Sequence, residues 1–527
     1  MLETQPLLTQ AVQLHQQGQL VEAGNLYDSV LAIDPHNGDA LHLLGLIALQ
    51  TQQYQSAVEL MGQAIHQAPD NALFHCNRGV ALKNLGQFQA AIVSYNQAIR
   101  LKPDYAEAYN NRGISLKELQ LYPDALESFA LAISHHPHFA EAFSNSGIVL
   151  HRLGQLGAAM DCFNTAIILQ PGLGQAYCYR GAVYKDQHQF QAALNDFEQA
   201  IALNPLDAEA HSHQSSTLLM LGEFHKGWAL YEWRWKNPNF TSDKNRPPKP
   251  IWTPKTKQRV LLWAEQGVGD EIMFGTLLND FKGHCTELIV EADERLMPLY
   301  QRSMPEGITF VPRQFVVPEH AYDSQISMAS LCQYLRNDDA QFAQARKAYL
   351  HNDPQRTQRI RSELAFEPGH MICGISWHSQ NTEIGASKSI QLKELIRHLD
   401  LPRCQWVNLQ YGDMSEEIAQ VKTDLNVDIV QCASVDNRQD LDGLASLIDA
   451  CDVIVSISNT TVHLAGALGK KVHVMLPFAA DWRWLHNRID SIWYPHVQLH
   501  RQPTPGDWDS VFAQVRDALV TMHESLK

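Results

Sequence analysis

The pattern of apolar and polar positions splits the chain into two parts with different periods. Up to about residue 240, small and apolar residues recur every 34 positions; beyond about 258, short apolar runs alternate with amphipathic stretches. Ala23, Ala57, Ala91, Ala125, Ala159 and Ala193 keep the 34-residue period, as do Gly45, Gly79, Gly113, Gly147 and Gly181. Pro35, Pro69, Pro103, Pro137, Pro171 and Pro205 are also 34 apart, and Ala32, Ala64, Ala98, Ala132, Ala166 and Ala200 run almost in step. An aromatic ring recurs at Tyr27, Tyr95, Phe129, Phe163, Phe197 and Tyr231. This spacing predicts helix pairs. Gly and Ala belong where two helices touch, because only small side chains allow close approach, and the ring fills the gap beside them. Each proline ends a second helix, since it lacks an N–H and disfavours helix in the residue before it.

The pattern resembles the tetratricopeptide repeat over about 235 residues, which implies an all-α solenoid across 5–240. Six full units are followed by an altered one from Ala208 to about Phe240, with Ser215 and Gly227 at the small positions. It runs into YEWRW, Tyr231 to Trp235, and its aromatic density suits a cap packed on a following domain. Asn77, Asn111 and Asn145 share the period and would form a ladder on the concave face. An amide can donate to and accept from a peptide backbone, so the ladder suits a peptide or protein partner; the alternative is that it bridges neighbouring repeats. The same arrangement occurs in the O-linked N-acetylglucosamine transferases.

Pro247, Pro248, Pro250 and Pro254 mark 241–257 as an extended linker lying on the next domain. After it, apolar runs at 259–264, 287–291, 308–311, 371–377, 404–409, 452–457 and 471–475 read as strands. Helical stretches at 271–282, 440–450 and 460–468 separate some of them. Strands separated by helices imply parallel sheets covered on both faces. Two doubly wound lobes fit, 258–365 and 366–527, the second ending in a helix that buries Val511, Phe512, Val515 and Leu519.

Four segments could carry chemistry. EQGVGDE, Glu265 to Glu271, follows the first strand of the second half. Gly267 and Gly269 would let it turn beside Gln266 and approach a ligand. Asp270 then either takes a proton from an acceptor hydroxyl or caps the next helix, and Glu271 is the nearest substitute carboxylate. Ser458, Asn459, Thr460 and Thr461 open a helix with His463 one turn in; this is an anion site or a well-capped helix that holds nothing. In GISWHSQNTEIGASKSI, Lys388 reads as a diphosphate ligand or a solvated charge, and His378 as a phosphate or ribose ligand. In FAADWRWL, Arg483 closes a cleft or simply accompanies the packing of Trp482 and Trp484.

GVGDEIMFGTLL and TTVHLAGALGKKVHVMLP resemble the two signature segments of the heptosyltransferase-like glycosyltransferases, family 9. With WYPHVQLHRQPTPGDWDSV, the second half looks like bacterial proteins that fuse tetratricopeptide repeats to such a domain. The resemblance implies a GT-B fold of two Rossmann-like lobes, the first for acceptor and the second for a nucleotide-sugar substrate, with no metal or other cofactor. It implies Asp270 as base, Lys388 at the donor phosphates and Ser458 to His463 around the diphosphate. Ser458 stands where the lipopolysaccharide heptosyltransferases carry aspartate, so ADP-heptose is not carried over as the donor. Two other readings stay open: a non-catalytic scaffold that binds a nucleotide sugar, and a transferase of cell-surface polysaccharide assembly.

Bulk properties narrow the field. A net charge of −16 argues against a nucleic-acid partner. Nine scattered cysteines without a C-x-x-C pair read as reduced thiols of a cytoplasmic protein. MLETQPLLTQ does not read as a signal peptide, and no apolar run approaches the ~18 residues of a membrane span.

Overall fold

The computed structural model describes residues 4–237, 240, 247–380, 385–399 and 401–525. Packing divides the chain into two units, Met1–Tyr184 with Asn195–Leu206 and Lys185–Leu194 with Asp207–Lys527.

The first unit is helical. Helices of 13 residues alternate with helices of 14, as in Ala72–Asn84 with Phe88–Leu101 and Ala106–Glu118 with Tyr122–His135. The second helices end at Ile33, Gln67, Leu101, His135, Leu169 and Leu203, each two residues before a proline of the series. Five of the intervening residues, Asp34, Ala68, Lys102, His136 and Gln170, leave the helix with φ between −132° and −141°. That is where the following proline ring pushes them. The periodic glycines are sites of close approach. A Cβ on Gly79 would lie 2.5 Å from the Tyr95 ring, and one on Gly113 2.5 Å from Phe129. Gly147 and Gly181 meet Phe163 and Phe197 in the same way, at 2.7 and 2.6 Å. The ring missing from the series is replaced by Met61, whose Cγ would stand 3.1 Å from a Cβ on Gly45.

The second unit contains two parallel sheets. In the first, β1 (Arg259–Trp263), β2 (Glu287–Ala292), β3 (Ile308–Pro312) and β4 (Ser324–Ser327) lie in the order β3-β2-β1-β4. In the second, β5 (Met371–Ser376), β6 (Cys404–Asn408), β7 (Ile429–Val430), β8 (Val453–Ile457), β9 (Val472–Leu476) and β10 (Val497–Arg501) lie in the order β10-β9-β8-β5-β6-β7. β5 and β8 are buried along their whole length, which is why they read as unbroken apolar runs. The closing helix is Trp508–Ser525, and it buries Val511, Phe512, Val515 and Leu519 against the second sheet. Among the described residues no helix is long and apolar enough to cross a membrane.

Several details differ from the sequence reading. β4, β7 and β10 were not expected. β4 is Ser-Gln-Ile-Ser and buried throughout, so its polar side chains hide it; Gln325 accepts a 2.7 Å hydrogen bond from Trp263 Nε1. The stretch 271–282 is two helices, Val268–Gly275 and Leu278–Lys282. Residues 241–246 of the expected linker lie outside the described residues. Its later part pairs with β4: Trp252 N donates to Gln325 O at 2.8 Å, and the Trp252 ring is buried. The last helix pair, Ala208–Met220 and Phe224–Tyr231, clusters with the second unit, as does Lys185–Leu194. Leu219, Met220, Phe224 and Trp228 lie in the same apolar core as Trp252, Val260 and Phe342.

The glycine contacts make a paired prediction. Gly113→Ala should destabilise the protein by about 1–3 kcal/mol, because the buried Phe129 ring must shift. Gly62→Ala, in mid-helix with nothing within 4 Å of the new methyl, should stabilise it by up to about 1 kcal/mol. Denaturant titrations of the two variants followed by circular dichroism measure both signs.

Candidate active site

Ligands of open parallel sheets sit at the carboxyl ends of the strands, where the strand order reverses. In the second sheet the chain winds from β5 to β7 on one side and from β8 to β10 on the other, so the crevice lies between β5 and β8. The loops there are Trp377–Gln380 and Ser458–Asn459, the latter leading into the helix Thr460–Ala467. Asn459 caps that helix, its Oδ1 accepting from Thr461 N at 3.1 Å, while its Nδ2 donates to Ser376 Oγ at 2.7 Å and ties the loops together. Ser458 Oγ accepts from Trp484 Nε1 at 2.8 Å. Ser458 and Thr460 are half-buried, whereas Asn459, Thr461 and His463 are buried.

His463 bonds Tyr494 Oη through Nδ1 at 3.1 Å and stacks on Trp484. Burial, reinforced by Arg483, lowers its pKa to about 3, so at neutral pH it offers a dipole and not a cation. His378 sits after β5, its backbone N donating to Gln410 Oε1 at 2.9 Å. Lys388 ends the short helix Gly385–Lys388 and is half-buried. Burial lowers the pKa of its amine, while Asp481 and Asp270 act in the opposite direction.

In the first sheet the order reverses between β1 and β4. The segment after β1 leads into the helix Val268–Gly275, whose cap position is held by Gly267 and not by Asp270. Gly267 has φ −68° and a Cβ there would meet nothing, so its glycine is not required by a turn, as the sequence had suggested. Gly269 is closely approached: a Cβ would lie 3.2 Å from His463 Cδ2 and 3.5 Å from Thr460 Oγ1. The two crevice loops therefore touch. Arg483 spans them, with Nη2 and Nε at 2.6 and 2.8 Å from Asp270 Oδ1 and Nη1 at 2.8 Å from Asp481 Oδ1. Gln266 Oε1 lies 3.5 Å from Arg483 Nη2. Burial alone would lower the pKa of Arg483, but Asp270 and Asp481 outweigh it and hold the guanidinium charged. Glu271, the neighbouring carboxylate, is buried, paired with Arg313, and accepts from Asp293 N at 3.0 Å.

The asparagine ladder is engaged between repeats. Asn77 Nδ2 bonds His42 Nε2 at 2.8 Å, Asn145 Nδ2 donates to Asn110 Oδ1 at 3.0 Å, and Asn111 Oδ1 accepts from Lys83 Nζ at 3.3 Å.

Two features had gone unnoticed. One is a cavity of about 380 Å³ beside β6 and β7, lined by Asn408, Gln410, Asp436, Asn437 and Arg438. Gln410 joins it to the crevice, since its Oε1 also accepts from Ser376 Oγ and Trp377 N at 2.9 and 3.0 Å. The other is Arg234 of the YEWRW segment. Its Nε and Nη2 reach Glu265 at 2.6 and 2.7 Å, and Nη2 also donates to Ser330 Oγ at 2.7 Å. The guanidinium lies between the Tyr231 and Trp235 rings, at 4.6 and 4.3 Å from their centroids. The density of charge and aromatics in YEWRW was the available signal.

Comparison with known proteins assigns the helical half to a class. Residues 14–76, 110–173 and 174–206 match models described as tetratricopeptide repeat, and residues 82–120 match one described as TPR repeat. The N-terminal half is a tetratricopeptide-repeat array. Over 327 residues the chain is 30% identical to Protein FlbA of Caulobacter vibrioides, covering 58% of this chain and 54% of that protein. The chain thus spans about half the length of this curated relative. MamA is 25% identical over 31% of this chain and 94% of its own, with a TM-score of 0.29. YrrB, described as a TPR protein with an unusual peptide-binding site, is 24% identical over 33% of this chain and 89% of its own, with a TM-score of 0.29. A tetratricopeptide repeat protein from Parabacteroides merdae is 20% identical over 45% and 95%, with a TM-score of 0.40.

Arg234→Met should destabilise the second unit by about 3–5 kcal/mol, because it removes the buried guanidinium paired with the Glu265 carboxylate. Adding Glu265→Leu should recover much of that loss. The unfolding midpoints of the single and double variants test it; a double variant no more stable than the single one would contradict it.

Proposed function

We propose that the α/β half is a metal-independent glycosyltransferase of GT-B type, and that the repeat array recruits a protein acceptor. The observation that carries this reading is the meeting of the two strand-end loops at Gly269, Thr460 and His463. A helix N-terminus with half-buried hydroxyls, two cationic side chains and a carboxylate from the other lobe converge there.

In this reading the donor diphosphate lies at the start of the Thr460–Ala467 helix, where the helix dipole and backbone donors favour an anion. Lys388 and Arg483 face it, and the nucleoside extends toward the cavity beside Asn408 and Gln410. Asp270 accepts the proton of the acceptor hydroxyl as that oxygen bonds to the anomeric carbon. The bond from that carbon to the phosphate oxygen breaks, and its electron pair leaves with the nucleoside diphosphate. Fixed dipoles and cations stabilise the charge that develops there. The buried neutral His463 supports the diphosphate side through the loop it packs beneath. The array would hold a peptide through groups other than Asn77 and Asn145, whose amides already bond the neighbouring repeat.

A thermal-shift screen across nucleoside diphosphates and nucleotide sugars tests the donor site, since a ligand at 100 times its dissociation constant stabilises by about 2.7 kcal/mol. Lys388→Ala should weaken the best binder by about 1.5–3 kcal/mol, measured by calorimetry. With the donor known, Asp270→Asn should lower turnover by about 10²–10⁴-fold. Full turnover in that variant would move the base elsewhere. A donor that binds but is never transferred or hydrolysed would favour a scaffold.

A further inference from the structure

Resting on that donor-site reading, we infer that Arg483 is a latch: it engages Asp270, and a donor diphosphate displaces the carboxylate from the same edge of the guanidinium. The geometry divides Arg483 into two halves. Nη1 is committed to Asp481, at 2.8 and 2.9 Å from its two oxygens. Asp481 in turn receives the backbone N of Arg483 at 2.9 Å, so this half is a tether. The Nε and Nη2 edge faces the other lobe and holds Asp270 Oδ1, with Gln266 Oε1 a longer 3.5 Å contact of Nη2. That edge is the fork that binds carboxylate or phosphate oxygens in pairs, and it can serve one of them at a time.

The surroundings fix the tether and leave the edge free to exchange. Trp482 lies edge-on to Trp228 and Tyr231 at 5.4 and 5.8 Å, and His486 N donates to Met220 O at 2.7 Å. His188 stacks on Phe478 at 4.0 Å and bonds its carbonyl at 3.0 Å. The backbone of residues 478–486 is thus held from several sides. The edge itself is less crowded: Arg483 and Asp270 retain 15% and 19% side-chain exposure, and Gln266 Oε1 is a distant 3.5 Å neighbour. Charge makes the exchange favourable. The formal charges of Asp270, Asp481, Arg483 and Lys388 sum to zero, so this group of side chains is balanced by itself. A diphosphate brings excess negative charge that Lys388 alone does not match, and it recruits the Arg483 edge. Asp270 Oδ1 is then released toward the acceptor. Two consequences follow: Asp270 competes with the donor for Arg483, and the donor binds before the acceptor is activated.

The test is a double-mutant cycle read by calorimetry with ADP, UDP, GDP and inorganic pyrophosphate. Asp270→Asn removes the competitor, so the best-binding probe should bind about tenfold tighter, equivalent to roughly 1.4 kcal/mol. The gain should vanish in an Arg483→Gln background, where there is no edge to release. Should Arg483→Gln melt well below wild type, Arg483→Lys replaces it, and the gain should fall to less than about threefold because a lysine lacks the fork. An equal gain in both backgrounds would mean that Asp270 acts only through its field, and the latch would be wrong. Unchanged affinity in Asp270→Asn, with Lys388→Ala still weakening the probe, would also overturn the latch while leaving the donor site standing. Failure of all four probes to bind the wild type would overturn the donor site and the latch together.

Discussion

A guanidinium buried between two aromatic rings governs how the second unit is put together. Arg234 meets both oxygens of Glu265, and Glu265 is the second residue beyond β1. Glu265 starts the short run of residues that ends at Asp270, so the ion pair fixes the origin of everything the first lobe presents to the crevice. Both partners are almost fully buried, and each would be costly without the other. The remaining donors are accounted for as well: Nη1 reaches Glu232 at 2.7 Å and Tyr231 O at 3.0 Å, and Nη2 reaches Ser327 Oγ at 3.1 Å and Ser330 Oγ. A network this complete specifies one arrangement, because any shift of the segment leaves a buried donor or carboxylate unmatched. It also explains β4. Ser324, Gln325 and Ser327 make a poor strand by composition, yet their positions beside Arg234, Trp263 and the strap at Trp252 give most of their polar atoms partners.

From that origin, close approach does the rest. Gly269 brings the first lobe against Thr460 and His463, and no larger residue fits without moving the imidazole. His463 cannot yield easily, being stacked on Trp484 and bonded to Tyr494, itself buried. The crevice is therefore narrow and its charges are forced to pair across it, which is why Asp270 and Arg483 meet. Packing comes first here and the electrostatics follow.

Much of this was legible in the sequence, for reasons that differ by region. The repeat array could be read almost residue by residue, because each proline, glycine and ring is demanded by a local contact repeated every 34 positions. β1, β5, β8 and β9 were legible because strands buried on both faces carry unbroken apolar runs, whereas β2 buries alternate residues. β4 was invisible because its burial is polar, and β7 because it has two residues. At the crevice, the sequence singled out Asp270, Lys388, Arg483 and the Ser458–His463 turn as candidates, but not the side chains they pair with. Pairings such as Arg483 with Asp270, 213 positions away, or Arg234 with Glu265 arise from tertiary approach, which leaves no period in the chain. The glycines show the same limit. Gly267 and Gly269 look equivalent as letters, and only the neighbour across the crevice crowds one of them.

The altered last repeat follows from the same logic. Continuing the period from Phe190–Leu203 would carry its second helix from 224 to 237. Instead the α-helix stops at Tyr231 after eight residues, and a 3₁₀ turn runs from Glu232 to Lys236. A 3₁₀ turn advances three residues per revolution in place of 3.6, so each side chain after Tyr231 is rotated away from its repeat-like direction. Arg234 thereby reaches Glu265, while Tyr231 and Trp228 turn to Trp482. Within the pair, Ser215 Oγ donates to Gly227 O at 2.8 Å, and Gly227 leaves room for Leu219, so the contact no longer depends on a ring. The aromatic residues released from that task pack into the core of the α/β unit instead. The cap thus keeps the pattern of a repeat but clusters with the second unit, as Lys185–Leu194 does.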